Sequence, residues 1–236
     1  MGTDAEPKCT DCCCVDVEPV VRDCALFENV CESHCAQLLK TLGASVRSYE
    51  EGDLLLRLGD MVSRMGIVVE GMVEIGFYDE TGELATVSRI AAGGIFAESI
   101  ACAAKPSIVQ ATAIERCRVL WLDVSRLLAS DVLSCNDGAA TVVANLVRIV
   151  SRKNIFLNQK AQILTQRYVR DRIKLYLKDH LDRERLSVPY SRIDLARYLG
   201  VNRSALSREL GRLRDEGIVC VEDGCLVVLQ PDFLCE

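Results

Sequence analysis

Several features that mark other protein classes are missing from this sequence. No run of 18 apolar residues occurs, which excludes a transmembrane helix. No segment of about 20 to 50 residues repeats, which excludes a solenoid. Histidine occurs only twice, and there is no His-x-His pair. A metal-dependent enzyme built on a β-roll would need such a histidine set, so we do not expect an enzyme.

The N-terminus also lacks the apolar segment of a secretory signal, so we expect a cytoplasmic protein with no membrane partner. Cysteine, in contrast, is plentiful: there are 13, and seven of them lie in the first 35 residues. In a reducing compartment cysteines are more often free, metal-bound or redox-active than cross-linked. The sequence therefore predicts an N-terminal thiol cluster.

Positive charge is concentrated in one segment of an acidic protein. The formal net charge is −6, yet residues 166–217 contain 13 Lys and Arg against 8 Asp and Glu. A compact basic segment is compatible with a local anionic partner such as a polyphosphate, but on charge alone a solvated helix face is the favoured interpretation. The sequence pattern within the segment distinguishes between these two interpretations.

The chain divides into four parts. Residues 1–25 form a polar, Cys-rich arm, and a short amphipathic helix then ends at Gly43. Residues 26–136 include short strand-like runs separated by glycines, which is typical of an antiparallel β-roll or jelly roll. The predicted runs are Ser45–Tyr49, Asp53–Leu58, Met65–Val69, Val73–Tyr78, Leu84–Ile90, Ile108–Ala113 and Val119–Leu122.

Residues 137–166 predict one long helix that is apolar on two faces. One face is a heptad seam with a single Asn: Val143, Val147, Val150, Asn154, Leu157, Ala161 and Leu164. The other face is a neighbouring row: Ala139, Val142, Leu146, Ile149 and Phe156. Each apolar face must be buried against another surface, and the simplest partners are the β-roll and a second copy of the helix. A helix fully buried in a monomer is the alternative.

Residues 167–236 contain the most specific pattern. The segment SRIDLARYLGVNRSALSRELGRLRDEG begins with the Ser191–Asp194 capping spacing and turns at Gly200. Asn202 then caps a second helix, which is apolar inside and basic outside. Two short helices with this turn match a helix-turn-helix, and the following strands around Asp223-Gly224 predict a wing. The alternative, a helical hairpin used only for packing, would not need the outward arginines.

The order of these parts resembles the Crp/Fnr family of bacterial transcription regulators. The segments that carry the resemblance most specifically are VNRSALSREL, VVEGMVEIGFYDETGE and GGIFAES. It implies an α+β protein with an N-terminal β-roll sensor domain, a long dimerisation helix and a C-terminal winged helix-turn-helix. It further implies a homodimer that binds double-stranded DNA at a two-fold symmetric operator and contacts RNA polymerase.

The resemblance also assigns DNA-binding residues. The family's recognition positions fall on Arg203, Ser204, Ser207 and Arg208. The guanidinium fork of Arg208 fits the O6/N7 edge of guanine. Arginines expected to hold the DNA backbone are Arg192, Arg197, Arg212 and Arg214.

The signal that the β-roll senses is less defined by the sequence. The cyclic-nucleotide branch of the family holds the phosphate with a Gly-Glu turn and an Arg-Ser/Thr pair. The corresponding pocket residues here are Gly94, Ile95, Glu98 and Ser107. The arginine position falls on Pro106 or Ser107, and Lys105 lacks bidentate geometry. We therefore expect an effector other than cyclic AMP; a cyclic-nucleotide-binding module is the alternative.

Another branch of the family holds an iron–sulfur cluster with N-terminal cysteines and one cysteine on the roll. Cys9 and Cys12 have the Cys-x2-Cys spacing of such ligands, and Cys13 and Cys14 follow directly. Cys117 lies close to the position of the distal ligand. These five residues are the candidates for a cluster, another thiolate-bound metal or a thiol switch. Cys24, Cys31 and Cys35 are expected to fill the core instead.

Overall fold

The structure, a computed structural model, describes residues 18–78, 84–129, 137–181, 187–189 and 191–235. The chain forms two compact units, residues 1–151 and 152–236, which are described separately. The boundary between the units falls inside the helix predicted over 137–166. The four-part division made from the sequence stays a prediction.

Among the residues that the structure describes, the first unit contains eight strands in two antiparallel sheets. They are β1 (Ser45–Tyr49), β2 (Leu54–Leu56), β3 (Arg64–Glu70), β4 (Met72–Tyr78), β5 (Leu84–Ala91), β6 (Ile95–Phe96), β7 (Gln110–Ala113) and β8 (Cys117–Asp123). One sheet has the order β1-β8-β3-β6 and the other β2-β7-β4-β5. The antiparallel β-roll is confirmed, and seven of the strands overlap predicted runs. The missed strand, β6, has two residues, too few to show an alternation.

Short helices also belong to this unit. They are α1 (Glu18–Asp23), α2 (Glu32–Thr41), α3 (Glu98–Ala103) and α4 (Val124–Leu127), with a 3-10 turn at Ala25–Phe27. The predicted polar arm is wrong for its last residues, because Val21 and Cys24 are buried in the core. The predicted helix before Gly43 is also shorter than expected, since Asn29 has a φ of 62° and separates the 3-10 turn from α2.

The core of the roll contains a close approach between β3 and β6. Gly66 pairs with Phe96, and a Cβ atom on Gly66 would lie 2.4 Å from the Phe96 ring. The ring in turn contacts Trp121 edge-to-face, with 5.4 Å between the centroids. Glycine at position 66 therefore makes room for the aromatic pair.

The long helix α5 spans Asp137–Thr165, as predicted. In the first unit Ala139, Val142 and Leu146 are buried in the core of the roll. This confirms that one apolar row of the helix covers the β-roll. Asn145 is buried with them at 2% exposure, and its side-chain amide donates to backbone carbonyls of the 3-10 segment.

Within the described residues, the second unit contains the end of α5, three further helices and a small antiparallel sheet. The helices are α6 (Val169–His180), α7 (Arg192–Leu199) and α8 (Arg203–Asp215). The strands are β9 (Ser187–Pro189), β10 (Val219–Glu222) and β11 (Cys225–Val228), in the order β10-β11-β9, and a 3-10 turn follows at Pro231–Leu234. The predicted wing is confirmed, with β9 as an additional strand. None of the helices in the described ranges is long and apolar enough to cross a membrane.

Candidate nucleic-acid interface and sensor site

Helix α7 begins and ends as its sequence predicts. The Ser191 hydroxyl accepts a hydrogen bond from the Asp194 backbone N–H at 3.4 Å, which caps the first turn. Leu195, Ala196 and Leu199 are buried. Gly200 follows with a φ of 61°, a left-handed conformation that glycine adopts without a steric penalty. The chain can therefore turn sharply into the next helix.

Helix α8 is capped by Asn202, whose side-chain oxygen accepts from the Ala205 N–H at 2.7 Å. Three leucines, Leu206, Leu210 and Leu213, are buried on its inner face. Ser204 Oγ donates to the same Asn202 oxygen at 2.9 Å. Ser204, one of the predicted recognition residues, thus also stabilises the start of the helix.

The outer face of α8 is basic and exposed. The predicted residues on this face are Arg203, Ser204, Ser207, Arg208 and Arg212, and all of them are exposed. Arg208 Nε donates to the Ser204 carbonyl at 3.3 Å, and Arg212 lies 3.3 Å from Glu209. The positive end of the α8 dipole adds to this charge at the N-terminus. The face therefore combines cationic forks with a site suited to phosphate.

Arg192 joins this surface from α7. It lines a cavity of about 190 Å³ together with Ser207 and Arg214 of α8 and residues of β10. The structure thus brings two predicted backbone clamps and one recognition residue to a common cleft. Arg197 instead pairs with Asp194 on its own helix, at 3.2 Å.

Two arginines of α6 hold the helix-turn-helix in place, and the sequence analysis did not identify either. Arg172 donates to the carbonyls of Leu199 and Gly200, at 2.9 and 3.2 Å, and so satisfies the end of α7. Arg170 makes two hydrogen bonds to the Glu216 carboxylate, at 3.0 and 2.6 Å. This pairing lowers the pKa of Glu216. No local motif marks these contacts, because the partners are 27 and 46 residues away.

The wing is a tight hairpin. Asp223 and Gly224 both have positive φ, 47° and 76°, as a two-residue type I′ turn requires. They connect β10 and β11 in the register Glu222↔Cys225. The Asp-Gly dipeptide in the sequence was sufficient to predict this turn.

In the first unit, the predicted effector residues lie around α3. Gly94 and Ile95 precede the helix, and its first residue, Glu98, is 3% exposed. The Glu98 carboxylate accepts from the Ser99 hydroxyl at 3.0 Å. Alanines with left-handed conformations, Ala97 and Ala104, flank the helix. The predicted glycine turn followed by a buried glutamate is thus present in the structure.

Ser107, the fourth predicted effector residue, is also buried at 3% exposure. Its hydroxyl donates to the Val109 carbonyl at 2.6 Å, and its backbone bonds to Gly59 and Asp60. Lys105 and Pro106 next to it are exposed. The segment from Lys105 to Ser107 therefore supplies no guanidinium, and the Ser107 hydroxyl is hydrogen-bonded within the loop.

The predicted metal or redox residues are only partly covered by the structure. Cys9, Cys12, Cys13 and Cys14 lie outside the described residues. Cys117 is buried at 1% exposure, and burial raises its pKa to about 11. Burial thus keeps Cys117 a neutral thiol, whereas cluster ligation requires the thiolate. Within the described ranges no group of three or more His, Cys, Asp or Glu side chains is arranged to hold a metal.

Cysteines expected to fill the core behave differently from one another. Cys24 is buried and its pKa is raised by desolvation, as for a packing residue. Cys35 is half-buried against the same core. Cys31 is exposed, so the prediction is wrong for this residue.

Each of the two units matches a known protein family. The family description "Cyclic nucleotide-binding domain" matches residues 46–129, and "Crp-like helix-turn-helix domain" matches residues 163–236. Together the two matches cover about two thirds of the chain. A search of curated protein sequences finds no match.

Solved structures share the fold. The Thermus thermophilus catabolite activator protein gives a TM-score of 0.54 at 22% identity, over 90% of this chain and 97% of that one. CprK complexed with OCPA gives 0.60 at 18% identity, over 84% and 91%. FixK2 from Bradyrhizobium japonicum gives 0.51 at 20% identity, over 81% and 96%. At these identities the likeness shows the fold alone.

A cyclic-nucleotide-binding type of β-roll, a long helix and a Crp-like winged helix-turn-helix define a DNA-binding transcription regulator. The chain belongs to the Crp/Fnr family, whose members are regulators rather than enzymes.

Proposed function

We propose that this regulator is a homodimer that binds a two-fold symmetric operator sequence-specifically and contacts RNA polymerase in the cytoplasm. Its β-roll responds to a small effector or redox signal other than cyclic AMP. The observation that carries the proposal is the outer face of α8, where Arg203 and Arg208 are exposed on a helix whose inner face is fixed by buried leucines.

Sequence-specific reading is supported by the chemistry of this face. An α-helix fits the major groove, and a guanidinium recognises guanine through two parallel hydrogen bonds. Arg208 is the sixth residue of α8, in the N-terminal half that family helices insert into the groove. Arg192, Arg212 and Arg214 are the expected contacts to the phosphates.

Dimerisation is supported by the exposed positions of the α5 seam, although Val143 and Val150 of the same seam are partly buried against the core of the roll. Val147 is 59% exposed, Leu157 55% and Leu164 40%, all at the predicted heptad positions. Asn154 lies in the same seam and accepts from Asn158 at 3.0 Å. A repeating apolar stripe with one polar position is typical of a two-stranded helical interface. A second copy of α5 covers it by symmetry.

A selection from a random-sequence duplex library tests the proposal, because the library contains every possible half-site. We expect an enriched motif with two inverted half-sites whose centres are about 10 base pairs apart, or a multiple of that spacing. Its affinity should fall with salt, with a slope of about −0.9 for each phosphate contact. Light scattering should give twice the mass of the 26.0 kDa chain. A monomer, or a library without enrichment, would overturn the proposal.

A further inference from the structure

A groove of about 610 Å³ lies on the first unit between α1, the 3-10 turn and α2, and we call it the N-terminal groove. Its volume lies in the range of small-molecule sites. The side chains that line it are Val21, Arg22, Phe27, Asn29, Val30, Cys31, Glu32, Cys35, Ala36, Leu39 and Lys40. The groove is separate from the effector residues around α3 and from the helix-turn-helix.

Its walls are apolar and its rim is charged. Val21, Phe27 and Leu39 are buried and belong to the core of the roll, so the walls are fixed. Arg22 and Glu32 form an ion pair at 2.7 Å, which joins α1 to α2. Lys40 adds a second cation at the other end of α2. An apolar molecule with an oxygen that becomes negative suits this combination.

Cys31 supplies a nucleophile. It is exposed at the N-cap of α2, and its Sγ lies 3.3 Å from the Ser33 hydroxyl. The Ser33 hydroxyl and the N–H groups of the first turn lower the pKa of this thiol. In contrast, the pKa values of Cys35 and the exposed Cys102 are raised by desolvation. Cys31 therefore has more thiolate at neutral pH than these neighbours.

We propose that the N-terminal groove is a covalent modification site in which Cys31 adds to an apolar α,β-unsaturated carbonyl compound or quinone. The thiol first loses its proton to water, and the sulfur then forms a bond to the β-carbon. The electron pair of the C=C bond moves to the bond between the α-carbon and the carbonyl carbon, the C=O pair moves to the oxygen, and the enolate takes a proton from water at the α-carbon. The addition is balanced without an oxidant.

The groove is connected to the long helix. Its 3-10 segment provides the carbonyls of Leu26 and Glu28 that accept from Asn145 of α5. A Cβ atom on Gly138 would lie 3.1 Å from Val30 and 3.0 Å from His34, so α2 also packs directly on the start of α5. A group attached at Cys31 would therefore act next to the helix that we propose as the dimer interface. This regulatory consequence rests on the proposed function, whereas the modification itself does not.

The test compares two maleimides on the full chain, N-methylmaleimide and N-benzylmaleimide, with peptide mass spectrometry to give a rate for each cysteine. We expect Cys31 to react before Cys102 and Cys235. We also expect its preference for the benzyl reagent to exceed theirs by about tenfold, as for a benzyl group that leaves water. N-benzylsuccinimide, which has no reactive double bond, should protect Cys31 selectively. Equal preferences at the three cysteines, or no protection, would overturn the proposal.

Matched variants locate the effect. Ala36→Trp places a large side chain at an exposed groove position and should remove the benzyl preference at Cys31. Gln37→Trp places the same side chain at the neighbouring exposed position of α2, outside the groove lining, and should leave both the rate and the preference unchanged. Ser33→Ala should slow both reagents by the same several-fold factor, because it removes the hydrogen bond that favours the thiolate. A benzyl preference that survives Ala36→Trp in a folded variant contradicts binding in the groove.

Operator binding by the N-benzylmaleimide adduct then tests the regulatory step. We expect a changed affinity relative to the Cys31→Ser variant treated in the same way. Selective labelling with no operator binding in either sample would refute the proposed function and leave the modification site standing. Unselective labelling with normal operator binding would do the reverse.

Discussion

Asn145 Nδ2 lies 2.8 Å from the backbone oxygen of Glu28, across 117 residues of sequence. The same amide donates to the Leu26 oxygen at 3.1 Å, and Arg148 donates to Asn145 Oδ1 at 2.8 Å. The buried amide thus satisfies two carbonyls of the segment between α1 and α2. The N-terminal segment is held to α5 by this residue.

Replacing Asn145 should therefore destabilise the protein. Asn145→Leu leaves two carbonyls without a donor, and we expect a loss of about 2–3 kcal/mol in the free energy of unfolding. Urea denaturation measures it. Asn158→Leu, at an exposed position of the same helix, should change it by less than about 0.5 kcal/mol. Equal losses in the two variants would contradict the role of the amide.

Arg208→Ala should abolish specific binding to the selected operator with the dimer intact. The lost guanine contact is worth about 1–3 kcal/mol at each half-site, and the base preference at one position should disappear. Arg214→Ala removes a phosphate contact instead. It should weaken specific and non-specific binding alike and reduce the salt slope by about one. Fluorescence anisotropy across a salt series separates the two effects; unchanged operator affinity in Arg208→Ala would refute the assignment.

Val147→Glu should dissociate the dimer, because it places a charge at an apolar position of the proposed seam. Ile155→Glu is a matched control on the same helix: Val147 is 59% exposed and Ile155 58%, but Ile155 lies off the seam. Light scattering at several concentrations should show a monomer for the first variant and a dimer for the second. Two variants with the same mass would refute the seam.

Cyclic AMP should not raise the melting temperature of the protein. A ligand stabilises the fold only as far as it binds it, and the segment from Lys105 to Ser107 offers no guanidinium to the phosphate. Pro106→Arg supplies one at an exposed position and is the informative variant. Differential scanning calorimetry of both proteins, with and without cyclic AMP, measures the shift in melting temperature. A clear shift in the wild type would favour the cyclic-nucleotide module.

The buried Cys117 thiol should make stability fall at alkaline pH. Its pKa rises from 9.0 to about 11 on folding, so the unfolded chain loses this proton first. Stability from this group is complete below pH 9 and decreases as pH rises toward 11. We expect a decrease of about 2–3 kcal/mol in the wild type relative to Cys117→Ala. The unfolding free energies of both proteins across this range provide the measurement, and parallel pH curves would show that the thiol is not buried.

Local patterns in the sequence predicted the parts of this structure that depend on local physics. Glycine-bounded alternation identified the strands, heptad spacing identified α5, and the caps at Ser191 and Asn202 identified the two helices of the helix-turn-helix. The contacts of Asn145 and Arg172 were missed, because each joins backbone groups far away along the chain. The same reason hid the exposure of Cys31, which depends on how α1 packs beside α2.

The close approach of Gly66 and Phe96 has a consequence for relatives of this protein. Any side chain at position 66 would overlap the ring, and a smaller residue at 96 would leave Trp121 without its edge-to-face neighbour. Neither site can vary alone at little cost. Related sequences should therefore change the two positions jointly. A chain in which both are altered should have a differently packed core in its β-roll.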